Sequence, residues 1–101
     1  MRIIWRKSAV ESLLELDQWR ETIELPPLAT HLKDTIHAYF ENQDPTLYIP
    51  GRQVVIQGLP VDLRMTLISI GKSDPYKVFY RQTSKNIEVF LIRHPHQKPL
   101  G

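Results

Sequence analysis

Apolar and polar positions repeat with two different periods along this chain, and the change falls near Pro50-Gly51. Met1 to Trp5 reads as a short strand, because Ile3, Ile4 and Trp5 favour extended backbone. Ser8 stands three residues before Glu11, the spacing of a capping box, so a helix is expected from about Ser8 to Thr22. Val10, Leu13, Leu14 and Ile23 are expected to line its buried stripe, with Glu11, Glu15 and Asp17 in water. Trp19 and Leu16 fall off that stripe, toward the neighbouring helix or a partner. Pro26-Pro27 forbids continuation, since proline offers no amide and restrains the residue before it. Leu28, Leu32, Ile36 and Phe40 then recur every four residues, predicting a second helix from Leu28 to Asn42. The short link between the two predicts an antiparallel helical hairpin.

Beyond Gly51 the period becomes that of strands. Gln53 to Gln57, Leu63 to Ile70, Tyr76 to Gln82 and Ile87 to Ile92 are the candidates, with breaks at Gly58-Leu59-Pro60, Gly71 to Pro75 and Thr83 to Asn86. The last three are linked closely enough to form consecutive antiparallel hairpins. The order β-α-α-β-β-β, with one further short strand, predicts an α+β fold: an N-terminal strand and a helical hairpin packed on a twisted antiparallel sheet. One domain over residues 1–101 is expected from the length.

Alternation also assigns faces. Lys77, Phe79 and Arg81 point one way and Tyr76, Val78 and Tyr80 the other. On the last strand Ile87, Val89 and Leu91 share a face opposite Glu88, Phe90 and Ile92. Phe79 and Phe90 are therefore expected to face away from the helices, among Lys77 and Arg81. Exposed aromatics there would stack bases or receive a protein partner, and the protein partner is preferred.

Charge adds an asymmetry. Residues 1–50 hold five Lys/Arg against eight Asp/Glu, net −3, whereas residues 51–101 hold eight against three, net +5. A basic half suits a polyanion or an acidic protein segment. With no cysteine in the sequence, disulfides and thiolate metal sites are excluded. No apolar run approaches the ~20 residues of a membrane span. No secretory signal pattern opens the chain, so a cytoplasmic setting is the expectation. His31 and His37 lie six apart, too far round a helix for an i,i+4 ligand pair, and neither a metal nor a cofactor is expected.

The chemistry-bearing residues gather late in the chain, where the last strand ends in Arg93-His94-Pro95-His96-Gln97-Lys98. RNA cleavage by 2′-hydroxyl attack would need an acid, a base and cations beside the phosphate. His94 and His96 supply imidazoles, and Arg64, Lys77, Arg81 and Arg93 supply cations. The bland alternatives are a His94 hydrogen-bonded inside the sheet end and a frayed tail from His96 to Pro99.

Tyr76-Lys77-Val78-Phe79-Tyr80, a turn, then Ile87 to His94, with Leu63-Arg64 at the entry to the preceding strand, resembles the closing pattern of the RelE/ParE superfamily of bacterial type II toxins. The resemblance covers nearly the whole chain and lies closer to the ParE branch. It implies a growth-inhibiting toxin neutralised by a cognate antitoxin protein, with DNA gyrase as target. The alternative it implies is a RelE-like, ribosome-dependent messenger RNA endoribonuclease. In that case Arg64, Arg81, Arg93 and His94 would be catalytic. Lys77, Phe79, Phe90, His96, Lys98 and Trp19 are the expected target- or antitoxin-binding residues. ParE-like chains follow the histidine with a small residue and two arginines; here Pro95-His96-Gln97-Lys98 stands instead, which leaves a non-toxic, antitoxin-binding member as a third reading.

Overall fold

The computed structural model describes residues 2–42, 51–71 and 74–94. Strand β1 (Arg2–Trp5) leads directly into α1 (Lys7–Thr22), and α2 (Ala29–Glu41) returns beside it. Strands β2 (Arg52–Gln53), β3 (Arg64–Ile68), β4 (Tyr76–Gln82) and β5 (Asn86–Arg93) follow. They form one five-stranded sheet in the order β1-β5-β4-β3-β2. The fold is α+β as expected, with consecutive antiparallel pairing from β2 to β5 and β1 added as a parallel edge on β5.

The helices cover one face of the sheet. Leu13 and Leu16 from α1 and Leu32, Ile36 and Phe40 from α2 meet Ile68, Tyr76, Val78, Tyr80, Ile87, Val89 and Ile92 in the main core. The other face has its own apolar cluster. Leu63, Met65, Phe79 and Phe90 are buried there under Val54, Ile56 and Leu59 of the segment between β2 and β3. That covering role explains why β2 stops at Gln53 rather than running to Gln57. Val54, Ile56 and Leu59 are used to roof the sheet, not to extend it.

Helix α1 is rotated from the expected setting. Its buried line is Ala9, Ser12, Leu13 and Leu16, while Val10, Leu14 and nearby Ile23 are exposed. Leu13 is buried as expected, but the rest of the line lies one residue, about 100°, away from the expected Val10 and Leu14. Small Ala9 and Ser12 face the sheet, which lets the helix axis come close to β5. Hydrophobicity alone pointed to the bulkier neighbours. Leu16, expected off the stripe, is in the core.

The capping box does not form either. Arg6 keeps extended backbone at the helix start and its amide bonds the Val89 carbonyl, so the helix begins a residue before Ser8. The Ser8 hydroxyl donates instead to the Phe90 carbonyl at 2.5 Å. Asp17, expected in water, accepts from the Leu28 and Ala29 amides at 2.7 and 2.9 Å. Its carboxylate thus caps α2 from across the hairpin.

One irregularity governs the site. Phe79 pairs with Leu91 but Tyr80 pairs with Val89, leaving Phe90 without a partner on β4. This bulge puts an extra residue in β5. Phe90 and Leu91 both lie on the far side from the helices, and Ile92 returns to the helical side. Simple alternation, which placed Leu91 with Val89 and Ile92 with Phe90, therefore fails beyond the bulge.

Candidate functional site

Glu88 sits on β5 with 8% of its surface exposed, directly opposite Arg81 on β4. Arg81 reaches one carboxylate oxygen twice, through Nε at 2.8 Å and Nη2 at 2.6 Å. The other oxygen faces Arg6 Nη1 at 3.6 Å, and the third guanidinium nitrogen of Arg81, Nη1, lies 3.9 Å from Asp62. Both guanidiniums also lie over the Phe90 ring, at 5.4 and 5.6 Å from its centroid. A buried carboxylate needs such partners, because removing a charge from water costs several kcal/mol. Arg81 is thereby committed to neutralising Glu88, and its fork is not open to a phosphate.

His94 belongs to a different place. Because the bulge shifts the alternation, it follows Ile92 onto the helical side and packs edge-on against Trp19 of α1, with centroids 4.4 Å apart. Tyr76 flanks it at 5.8 Å. Burial pushes the Tyr76 hydroxyl above its ordinary range, and the charge and hydrogen bond of Arg20 partly offset this. Arg20 also donates through Nε to the Pro26 carbonyl at 2.7 Å, so this cluster ties the end of α1 to the sheet. Trp19, though 43% exposed, has its ring engaged here.

Arg64 occupies a third position. On β3 it pairs with Tyr80 of β4 and donates through Nη2 to the Gly51 carbonyl at 3.0 Å. Arg93 pairs with Lys77 across β4 and β5. Lys77 and Arg81 are four residues apart on one strand, so the Lys77–Arg93 pair lies about 13 Å along the sheet from Arg81.

Arg64, Arg81, Arg93 and His94 are thus distributed over both faces and along the strands. Phe79 and Phe90 do face away from the helices, but each is 6% exposed. They are core residues of the second cluster, not surface aromatics. Lys77 is exposed as expected of a contact residue, and His96 and Lys98 lie outside the described residues. Among the described residues, no group of three or more His, Asp or Glu side chains is placed to hold a metal ion.

Five exposed large hydrophobics, Val10, Leu14, Trp19, Ile23 and Leu25, lie on the hairpin, while Val55, Val61 and Leu67 are exposed elsewhere. Leu14, Asp17, Gln18, Glu21, Leu25 and Pro27 line a groove of about 460 Å³ between α1 and the link to α2. Val10, 43% exposed, lies one turn before Leu14 and extends it. This surface was missed because Val10 and Leu14 read as core. The Glu88 centre was missed although a signal existed: one carboxylate inside an otherwise apolar strand, beside a strand carrying Arg81. No protein-family model and no curated protein matches the chain.

Proposed function

We propose that this chain is the toxin of a type II toxin–antitoxin pair, of the RelE/ParE kind and nearer the ParE branch. It acts in the cytoplasm through protein contacts, with DNA gyrase as the target. The observation that carries this reading is the dispersal of the four candidate catalytic residues. Arg81 is locked to Glu88, and His94 is packed between Trp19 and Tyr76 on the opposite side of the sheet. Acid–base cleavage of RNA needs its groups around one phosphate. The resemblance in the closing hairpin, and the α+β order that goes with it, support the family.

The cognate antitoxin covers the groove at Leu14, Leu25 and Pro27 with an amphipathic segment, as helix-in-groove recognition requires. Induction of the chain alone is expected to arrest growth with gyrase-linked DNA breaks and intact messenger RNA. Message cleaved within minutes would replace this reading by the endoribonuclease. Full growth would replace it by the non-toxic member. Leu14→Asp is expected to leave growth arrest intact and to abolish rescue by the product of the adjacent small gene.

A further inference from the structure

The Trp5 indole on β1 donates through Nε1 to Nε2 of His37 on α2 at 2.8 Å, with the two rings nearly parallel at 17°. An imidazole nitrogen accepts only when it carries a lone pair, so this bond requires neutral His37 with its proton on Nδ1. Protonation turns Nε2 into a second donor aimed at the indole N–H. The bond is then replaced by a repulsive contact at hydrogen-bond distance.

We propose that Trp5 and His37 form an acid-released latch that fastens the edge strand β1 to the helical hairpin. The surrounding charges give the latch two settings. Lys33, one turn before His37, holds its ammonium 5.5 Å from the Trp5 ring, so a charged imidazole on Trp5 would meet a like charge. Glu41, one turn after His37 on α2, is exposed and opposite in sign. The neutral ring rests on Trp5, and the charged ring turns away from Lys33 toward Glu41. The remaining ionisable groups near α2 are placed otherwise. His31 and Asp34 are exposed, six and three residues before His37; on the β1 side Arg2 is exposed and Arg6, next to Trp5, faces Glu88 at 3.6 Å. The Tyr39 hydroxyl is bonded to Thr66 of β3 at 2.9 Å. Asp17 from α1 is held by the Leu28 and Ala29 amides.

The consequence lies in β1. It is an edge strand of four residues, paired only with β5 among the described strands. Its other anchor is side-chain packing under the helices, through Ile3 and Trp5. Opening the latch weakens the contact between Trp5 and α2 and leaves the ladder to β5 in place.

The test is nuclear magnetic resonance on the full chain carrying Trp19→Phe, which leaves Trp5 as the only indole. Its Nε1–H shift and solvent exchange are followed from about pH 8 to about pH 5, the span an imidazole covers. The His37 C2–H is followed in the same samples. The two signals are expected to move with one midpoint. Protection of the indole proton, corrected for intrinsic exchange, should fall about tenfold, the size of one lost hydrogen bond. In His37→Gln the amide oxygen can still accept but does not titrate, so the indole signal should stay protected and constant. An indole signal that does not respond while His37 titrates overturns the proposal. So does a response that persists in His37→Gln.

Discussion

Arg81→Ala separates a structural arginine from a catalytic one. In the folded chain the substitution leaves Glu88 with Arg6 alone, at 3.6 Å, and the Arg6 side chain is half exposed. Breaking a buried pair costs about 3–5 kcal/mol, because the remaining charge is stranded. Arg81 is about one-third exposed and Arg6 still contributes, which places the expected loss near the lower end. The lost contact with the Phe90 face adds about 0.5–1 kcal/mol. The sum is about 3.5–4 kcal/mol, against a total of ~5–15 kcal/mol for a domain of this size. At about 4–8 °C per kcal/mol, the melting temperature should fall by more than ~10 °C. Urea unfolding followed by tryptophan emission would measure it, with an unchanged slope as the sign of an intact two-state transition. Removing the stranded charge as well, in Arg81→Ala with Glu88→Leu, should restore about 2 kcal/mol, since apolar groups of similar size replace buried ion pairs at little cost. If Arg81→Ala stays within ~0.5 kcal/mol of the parent, as ordinary surface substitutions do, the structural assignment is refuted.

Three further outcomes follow from backbone and burial. Glu24 closes α1 at φ 60, with the Leu25 amide bonded to the Arg20 carbonyl, a position that favours glycine. Glu24→Gly should therefore raise stability by about 0.5–1 kcal/mol in thermal unfolding. Gly51 has φ 85, and a β-carbon there would lie 2.6 Å from the Met65 carbonyl oxygen and 2.8 Å from the Tyr80 hydroxyl. Gly51→Ala should cost about 2–4 kcal/mol, read as a lower urea midpoint. Tyr76 has a raised folded-state pKa, so the folded chain holds the phenolic proton more tightly than the unfolded chain. That contribution is full below about pH 10 and is lost as pH rises through the folded value. The alkaline limb of stability should be flatter in Tyr76→Phe, measured by melting temperature between about pH 9 and 11.

The sequence carried the element order because each device was local. Pro26-Pro27 and the four-residue recurrence from Leu28 placed α2, and β4 spans Tyr76–Gln82 with the bounds expected. What was not legible depended on tertiary choices. Ala9 and Ser12 became the buried face of α1 because small side chains allow close approach to β5. No hydrophobicity count favours them over Val10 and Leu14. Ser8 has the right spacing to cap, yet its hydroxyl serves a strand residue 82 positions away. The edge of the sheet is similar. Ile3, Ile4 and Trp5 announce a strand, but its parallel pairing to β5 is set by where α1 and α2 return the chain.

The bulge at Phe90 explains why the candidate residues could look like one site in sequence and yet part in space. Without it, Glu88, Phe90, Ile92 and His94 would follow one face, and His94 would stand on the side of Arg81. One extra residue reverses that alternation, so Ile92 joins the helical core and His94 meets Trp19. The same residue leaves a carbonyl that Ser8 takes, which fixes the start of α1 over β5. It also places the Phe90 ring under Arg6 and Arg81, beside the Glu88 carboxylate they share. A single insertion in the strand therefore builds the ionic centre on one face and the aromatic anchor on the other. Chemistry that required both would need the bulge removed. A function through surfaces does not, because the hairpin groove at Leu14 and Leu25 lies apart from it.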